Sequence, residues 1–247
     1  MPFSVLDIIG LASFVLSWSG YTWFARNKAK STDCIARSLH QHRIQWMNEL
    51  MFKDVRVGEA ALLANLERNI AFFASSTLLI LAGMLTLFAK VDQLELVISS
   101  FKFSHITDPL AIQLKLSLLT FIFVLAFFQF TWSMRQYGFL NVMIGAAPHC
   151  KIPLTDNQQR YAKQMAIVQD QAAHSYNYGL RSYYFSLAAL CWFFHPILFI
   201  IASAVVVYTL YIREFKSKAV RAITAGMHHL AIENEVTAGV LKHDQKA

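Results

Sequence analysis

The chain has 247 residues, of which 56% are hydrophobic, 14% aromatic and 15% charged, with a formal net charge of +7. A soluble domain is about 45–50% apolar and about 25% charged, so this balance excludes a disordered chain and a coiled coil. Three scattered cysteines, Cys34, Cys150 and Cys191, form no CxxC pair and exclude a disulfide scaffold or a zinc ribbon.

The mean hydropathy of +0.41 points instead to an all-α polytopic membrane protein. About 20 apolar residues cross the hydrocarbon, and four runs meet that length: 3–25, 70–89, 110–134 and 183–212. The first is followed by Arg26 and Lys28 rather than a small-residue cleavage site, which reads as a membrane helix and not a signal peptide.

Residues 35–69 carry Ile35, Leu39, Trp46 and Leu50 at helical spacing, with no proline before the second run. Residues 157–181 place Tyr161, Met165, Val168, Ala172 and Tyr176 on one face, with Asp156 as the expected N-cap. The spacing therefore predicts two long helices, each amphipathic in water and then apolar in lipid, with a surface-lying helix followed by a separate span as the alternative. Their apolar faces, with Leu39, Leu50 and Met165, predict a homo-oligomer contact or, as the alternative, burial against each other within one subunit.

Lys and Arg number eight in 26–69, five in 135–181 and two in 90–109. Positive charge stays inside, so 26–69 and 135–181 are expected to be cytoplasmic and the N-terminus outside. The C-terminal tail, 213–247, is ambiguous. Four crossings would put Arg213, Lys216, Lys218 and Arg221 outside, against the charge rule. A re-entrant hairpin broken at His195-Pro196 would return them to the cytoplasm.

An internal repeat favours crossing. Residues 14–26 and 123–135 agree at six of thirteen positions, from Phe14-Val15-Leu16 and Phe123-Val124-Leu125 to Arg26 and Arg135. Asn65 with Phe72-Phe73 corresponds to Asn177 with Tyr184-Phe185. The pattern predicts two parallel-repeat helical hairpins with the symmetry axis along the membrane normal.

Ionisable groups are scarce in the apolar runs. Asp7 and Lys115 fall near outer ends, and His195 alone near a midplane. That scarcity argues against a proton pump or buried di-metal enzyme, and His195 is expected to hydrogen-bond a neighbouring helix. Arg26, Arg68, Arg135 and Arg181 each end an apolar run on the inner side, with Trp23 and Trp132 just above two of them. They read either as interfacial anchors or as a cationic ring at a pore mouth. Trp23, Arg26, Trp132 and Arg135 suit anchoring. Arg68 and Arg181 lie beside polar patches that suit a vestibule: Asn65, Asn69, Ser75, Ser76 and Thr77 in one half, Asn177, Ser186 and Gln129 in the other. The same residues also suit helix packing.

His40 and His42 are two apart, on different helix faces. Asp170 with His174 and His229 with Glu233 are at i and i+4. Such pairs alone define no metal site, no catalytic or cofactor motif is found, and no basic-aromatic pattern points to nucleic acid.

The stretch from Arg43 to Gly83, with Trp46-Met47, Asn65-Leu66, Phe72 to Thr77 and Leu81-Ala82-Gly83, resembles the membrane family called domain of unknown function 599. So do Asn177 to Leu187, Trp192-Phe193 with Pro196, and Tyr211 to Phe215. The resemblance implies a bacterial-type multi-pass inner-membrane protein and brings no catalytic residues. The expected function is an oligomeric pore or passive transporter with some anion preference. The alternatives are an accessory subunit of a larger membrane complex and, more weakly, a membrane-embedded enzyme.

Overall fold

A computed structural model describes residues 4–28, 32, 34–100, 108–151 and 153–244; the side chains of 231 and 233–244 are not described. Lys30, Lys102 and the side chain of Glu233, which enter the sequence reading, lie outside the described residues. Among them are eight α-helices and no strand: α1 (Val5–Lys28), α2 (Ile35–Leu50), α3 (Val57–Phe88), α4 (Val91–Ser99), α5 (Pro109–Ala146), α6 (Asp156–Cys191), α7 (Pro196–Tyr211) and α8 (Lys218–Asp244). A π-helical turn, Ile212–Lys216, joins the last two. Helices α1, α3, α5 and the segment from Pro196 are long and apolar enough to cross a membrane. Their outward faces carry Leu16, Leu79, Phe121 and Phe128, a surface suited to lipid.

Local sequence sets the helix ends. The Asp108 carboxylate accepts from the Leu110 amide at 3.3 Å, and Pro109 occupies the first turn of α5, where its missing N–H costs nothing. Thr155, not Asp156, caps α6. Its hydroxyl accepts from the Gln158 amide, and the Gln158 side chain accepts from the Thr155 amide. Sequence reading missed this because both residues are good caps and the reciprocal glutamine decides.

The expected unbroken helix over 35–89 is interrupted between α2 and α3. The Met51 carbonyl accepts from the Cys150 amide at 2.9 Å instead of continuing the helix. Arg56 then donates to the carbonyls of Ile144, Ala147 and Pro148 at the open end of α5, satisfying acceptors a helix terminus leaves bare. Lys53 pairs with Glu59 across the bend. No proline is needed, because tertiary partners for the freed groups make the break.

Helices α5 and α6 pack antiparallel over nearly their whole length, about 55 Å at 1.5 Å per residue. Lys115 meets the Trp192 carbonyl at one end, and Tyr161 donates to the Met143 carbonyl at the other. Midway the helices touch: a Cβ on Gly179 would lie 2.5 Å from the Phe130 ring. That ring is fully buried among Phe73, Tyr176 and Tyr183.

The fourth apolar run folds in half. Helix α6 ends at Cys191, and His195 caps α7 through Nδ1, which accepts from the Ile197 amide at 3.1 Å. The two arms run antiparallel, since Trp192 stacks on Phe199 at 5.1 Å while Arg213 donates to Tyr184 at 2.7 Å. His195 therefore sits at the turn between the two arms and not within a spanning helix. Helix α8 returns to α2, where Ser38 pairs with Thr224 and His42 with the Ile223 carbonyl. The packing partners of the two sequence copies also differ: α1 lies along α7, whereas α5 lies along α6 and α3.

Two cores result. One, with Phe14, Phe185, Trp192 and Phe199, fills the half near the α6–α7 turn. The other, with Met47, Leu50, Leu63, Phe130 and Met165, fills the basic half. Leu50 and Met165, expected at a contact between copies, are fully buried between α2, α5 and α6 of one chain. Two amphipathic helices in water bury their faces on the nearest partner, and here that partner is in the same chain.

Candidate functional site

At the basic end of the bundle five segments line a half-open cavity of about 740 Å³. Helix α1 contributes Thr22 and Arg26; the start of α2 contributes Arg37 and His40; α5 contributes Trp132 and Gln136. The α6 wall holds Asp170, Gln171, His174, Ser175, Asn177, Tyr178 and Arg181, and the π-helical turn supplies Glu214 and Phe215. π-Helical insertions shift side-chain register and recur at functional positions; this one turns Glu214 inward while Arg213 reaches Tyr184.

The acidic groups are already engaged. Arg181 donates through Nε and Nη2 to Glu214 Oε1 at 3.1 and 2.5 Å, and Tyr21 donates to Glu214 Oε2 at 2.6 Å. The same guanidinium lies over the rings of Tyr21 and Tyr178 at 5.5 and 5.4 Å. At the other side Asp170 pairs with His40 Nδ1 and accepts from Arg43 Nη1 at 2.6 Å. Arg26 donates to the Tyr178 hydroxyl at 3.1 Å, and among the described residues neither Arg26 nor Arg37 has a carboxylate partner. Gln136 accepts from Ser175 at 3.0 Å, holding the floor. Desolvation by the surrounding protein pushes the His174 imidazole below the usual histidine range. Arg43, Arg181 and Arg26 push the same way and Asp170 opposes them.

Beyond this layer the bundle is closed by aromatic packing. Trp18 stacks on Phe185 at 5.3 Å, and Phe14 lies 5.0 Å from Phe199.

Of the residues singled out from the sequence, Arg26, Trp132, Asn177 and Arg181 line the cavity. Arg68 and Arg135 do not, so the four arginines make no single ring. Arg68 donates to Asn65 at 3.2 Å on the outer face of α3, with Asn69 and Ser75 exposed beside it. Arg135 lies over Phe139 at 5.7 Å, and Trp23 faces outward. Thr77 and Ser186 are buried in packing: Thr77 bonds the Phe73 carbonyl and Tyr183, and Ser186 the Tyr183 carbonyl. Ser76 and Gln129 are half-buried outside the lining. Sequence reasoning missed Glu214, Arg37, Gln136 and the His40–Asp170 pairing. A signal existed: His40 and Arg43 share one face of α2, facing the Asp170–His174 pair of α6. No cluster of three or more metal-ligating side chains occurs among the described residues.

The family model described as "Protein of unknown function, DUF599" matches residues 9–219. The chain belongs to that family. The match runs from α1 to the start of α8, so it covers every helix that builds the cavity. No curated protein and no solved structure gives a significant match.

Proposed function

We propose that this DUF599 chain is a passive membrane transporter for small anions, held here with its cavity accessible from the basic side. That side faces the cytoplasm of a bacterial inner membrane. One observation carries the reading: Arg26 and Arg37 line a 740 Å³ cavity without a carboxylate partner among the described residues, while its carboxylates, Asp170 and Glu214, are already paired with Arg43 and Arg181. The surplus charge attracts anions, and low-dielectric walls strengthen the attraction. The closed aromatic layer implies that passage requires α1 and α7 to shift against α6.

The proposal places function on Arg26 and Arg37 and gives Arg68 and Arg135 a surface role. The test is anion flux into liposomes containing only this protein. Arg26→Gln with Arg37→Gln should lower flux, while Arg68→Gln with Arg135→Gln should leave it near the unmodified level. No flux in well-folded proteoliposomes, or equal loss in both variants, contradicts the proposal.

One observation favours a second reading, a subunit of a larger assembly. Helix α3 presents Asn65, Arg68, Asn69 and Ser75 outward, and polar side chains on a lipid-facing helix find partners on another chain. Mass measurement after gentle extraction separates a homo-oligomer from a complex with other subunits.

A further inference from the structure

A second concavity lies on a different face of α1, in the seam with α7. It holds about 530 Å³ and is open outward. Ser17, Gly20 and Phe24 form one wall, Ala204, Val207 and Tyr208 the other. The furrow exists because small residues face each other there: a Cβ built on Gly20 meets nothing within 4 Å. Both helices belong to the apolar, membrane-length set, so the furrow is presented to acyl chains.

Its basic end is charged. The furrow closes on Tyr211, whose ring lies 4.7 Å from Lys28 Nζ and 5.5 Å from Lys216 Nζ. Lys28 also donates to the Tyr211 hydroxyl at 3.1 Å. Among the described residues no carboxylate pairs with Lys216. Glu214 beside it turns the other way, to Arg181 and Tyr21. An apolar furrow ending at two cations on one tyrosine has the shape and charge of an anionic phospholipid, chain along the seam and phosphate at the lysines.

We infer that the α1–α7 furrow is a binding site for an anionic diacyl phospholipid, with Lys28 and Lys216 holding the headgroup and Gly20 making room for the chain. Zwitterionic lipids fit the furrow but bring their own cation to the lysines. A helix from a second copy fills the furrow only by burying the lysine pair. The site shares no residue with the cavity lining, so it stands or falls separately from transport.

The test uses the full-length protein, delipidated in mild detergent and titrated with dioleoyl phosphatidylglycerol or dioleoyl phosphatidylcholine. Bound lipid is read by native mass spectrometry and melting midpoint. Phosphatidylglycerol should bind and raise the midpoint, and phosphatidylcholine should do so weakly. Lys216→Gln should weaken phosphatidylglycerol binding about fivefold, the worth of one lysine at a membrane surface. Gly20→Phe should fill the furrow, abolish binding and leave the melting midpoint of the lipid-free protein intact, since the added Cβ meets open space. Lys28→Gln repeats the headgroup test, with Lys216→Gln deciding if that variant misfolds. Equal retention of both lipids, or Gly20→Phe that still binds phosphatidylglycerol, overturns the inference. So does Gly20→Phe that dissociates an oligomer without losing lipid.

Discussion

Arg181 on α6 grips Glu214 in the π-helical turn with two hydrogen bonds, to Oε1 at 3.1 and 2.5 Å, and Tyr21 on α1 takes the other oxygen. One carboxylate thus ties three segments together at the inner limit of the aromatic core. The two partners are 33 residues apart, and they meet only because the chain turns back between α6 and α7.

Breaking this pair on one side should cost more than removing it. Both side chains are mostly buried, at 15% and 25% exposure, so Glu214→Gln leaves a guanidinium with less compensation. The expected loss is about 1–3 kcal/mol, reduced for partial exposure. The double variant Arg181→Met with Glu214→Met should recover part of it. Thermal melts of the two single variants and the double give the coupling energy; additive losses would show that the pair is not a unit.

Gly179→Ala should destabilise the α5–α6 hairpin by about 1–3 kcal/mol. The Phe130 ring in its way is locked by three aromatic neighbours and cannot step aside. Phe130→Leu in the same chain should restore much of the loss. A melting midpoint unchanged by Gly179→Ala would mean that the helices separate at small cost.

Acidification should raise anion uptake through the cavity. His174 is held below the ordinary histidine range, so it is predominantly neutral at neutral pH and gains its proton only on the acid side of that range. Each proton adds positive charge beside Arg26 and Arg181. The sign for stability is the reverse. A histidine whose folded value is depressed favours the folded state above its unfolded value, and that contribution is lost as the pH falls. Flux measured against pH should therefore rise on the acid side while the melting midpoint drops, and His174→Gln should flatten both.

Topology is checked with single cysteines at Val55, Arg160 and Leu230 in a chain whose native cysteines are replaced. The fold puts α8 against α2, so all three positions should resist an impermeant thiol reagent added outside intact cells. Labelling at 230 but not at 55 or 160 would require residues 183–212 to cross once as a single span, against the α6–α7 hairpin.

Several features were legible in the residues alone. Four apolar stretches, the basic flanks beside them and the family likeness follow from composition and order, because lipid selects apolar length and charge avoids it. The Asp170–His174 spacing and the position of Arg181 were visible as well. What the residues left open was every question of partner. The charge pattern argued for a hairpin in the last apolar run and the repeat for a crossing; Trp192 on Phe199 and Arg213 on Tyr184 decide for the hairpin. An apolar face at helical spacing says that it is covered and not by what, so Leu50 and Met165 suited a second copy until α2 was seen against α6. The arginines at the inner ends of the apolar runs looked equivalent along the chain. Helix rotation alone sends Arg26 and Arg181 into the cavity and Arg68 and Arg135 away from it, and rotation is set by side-chain packing between helices, which no single stretch of sequence contains.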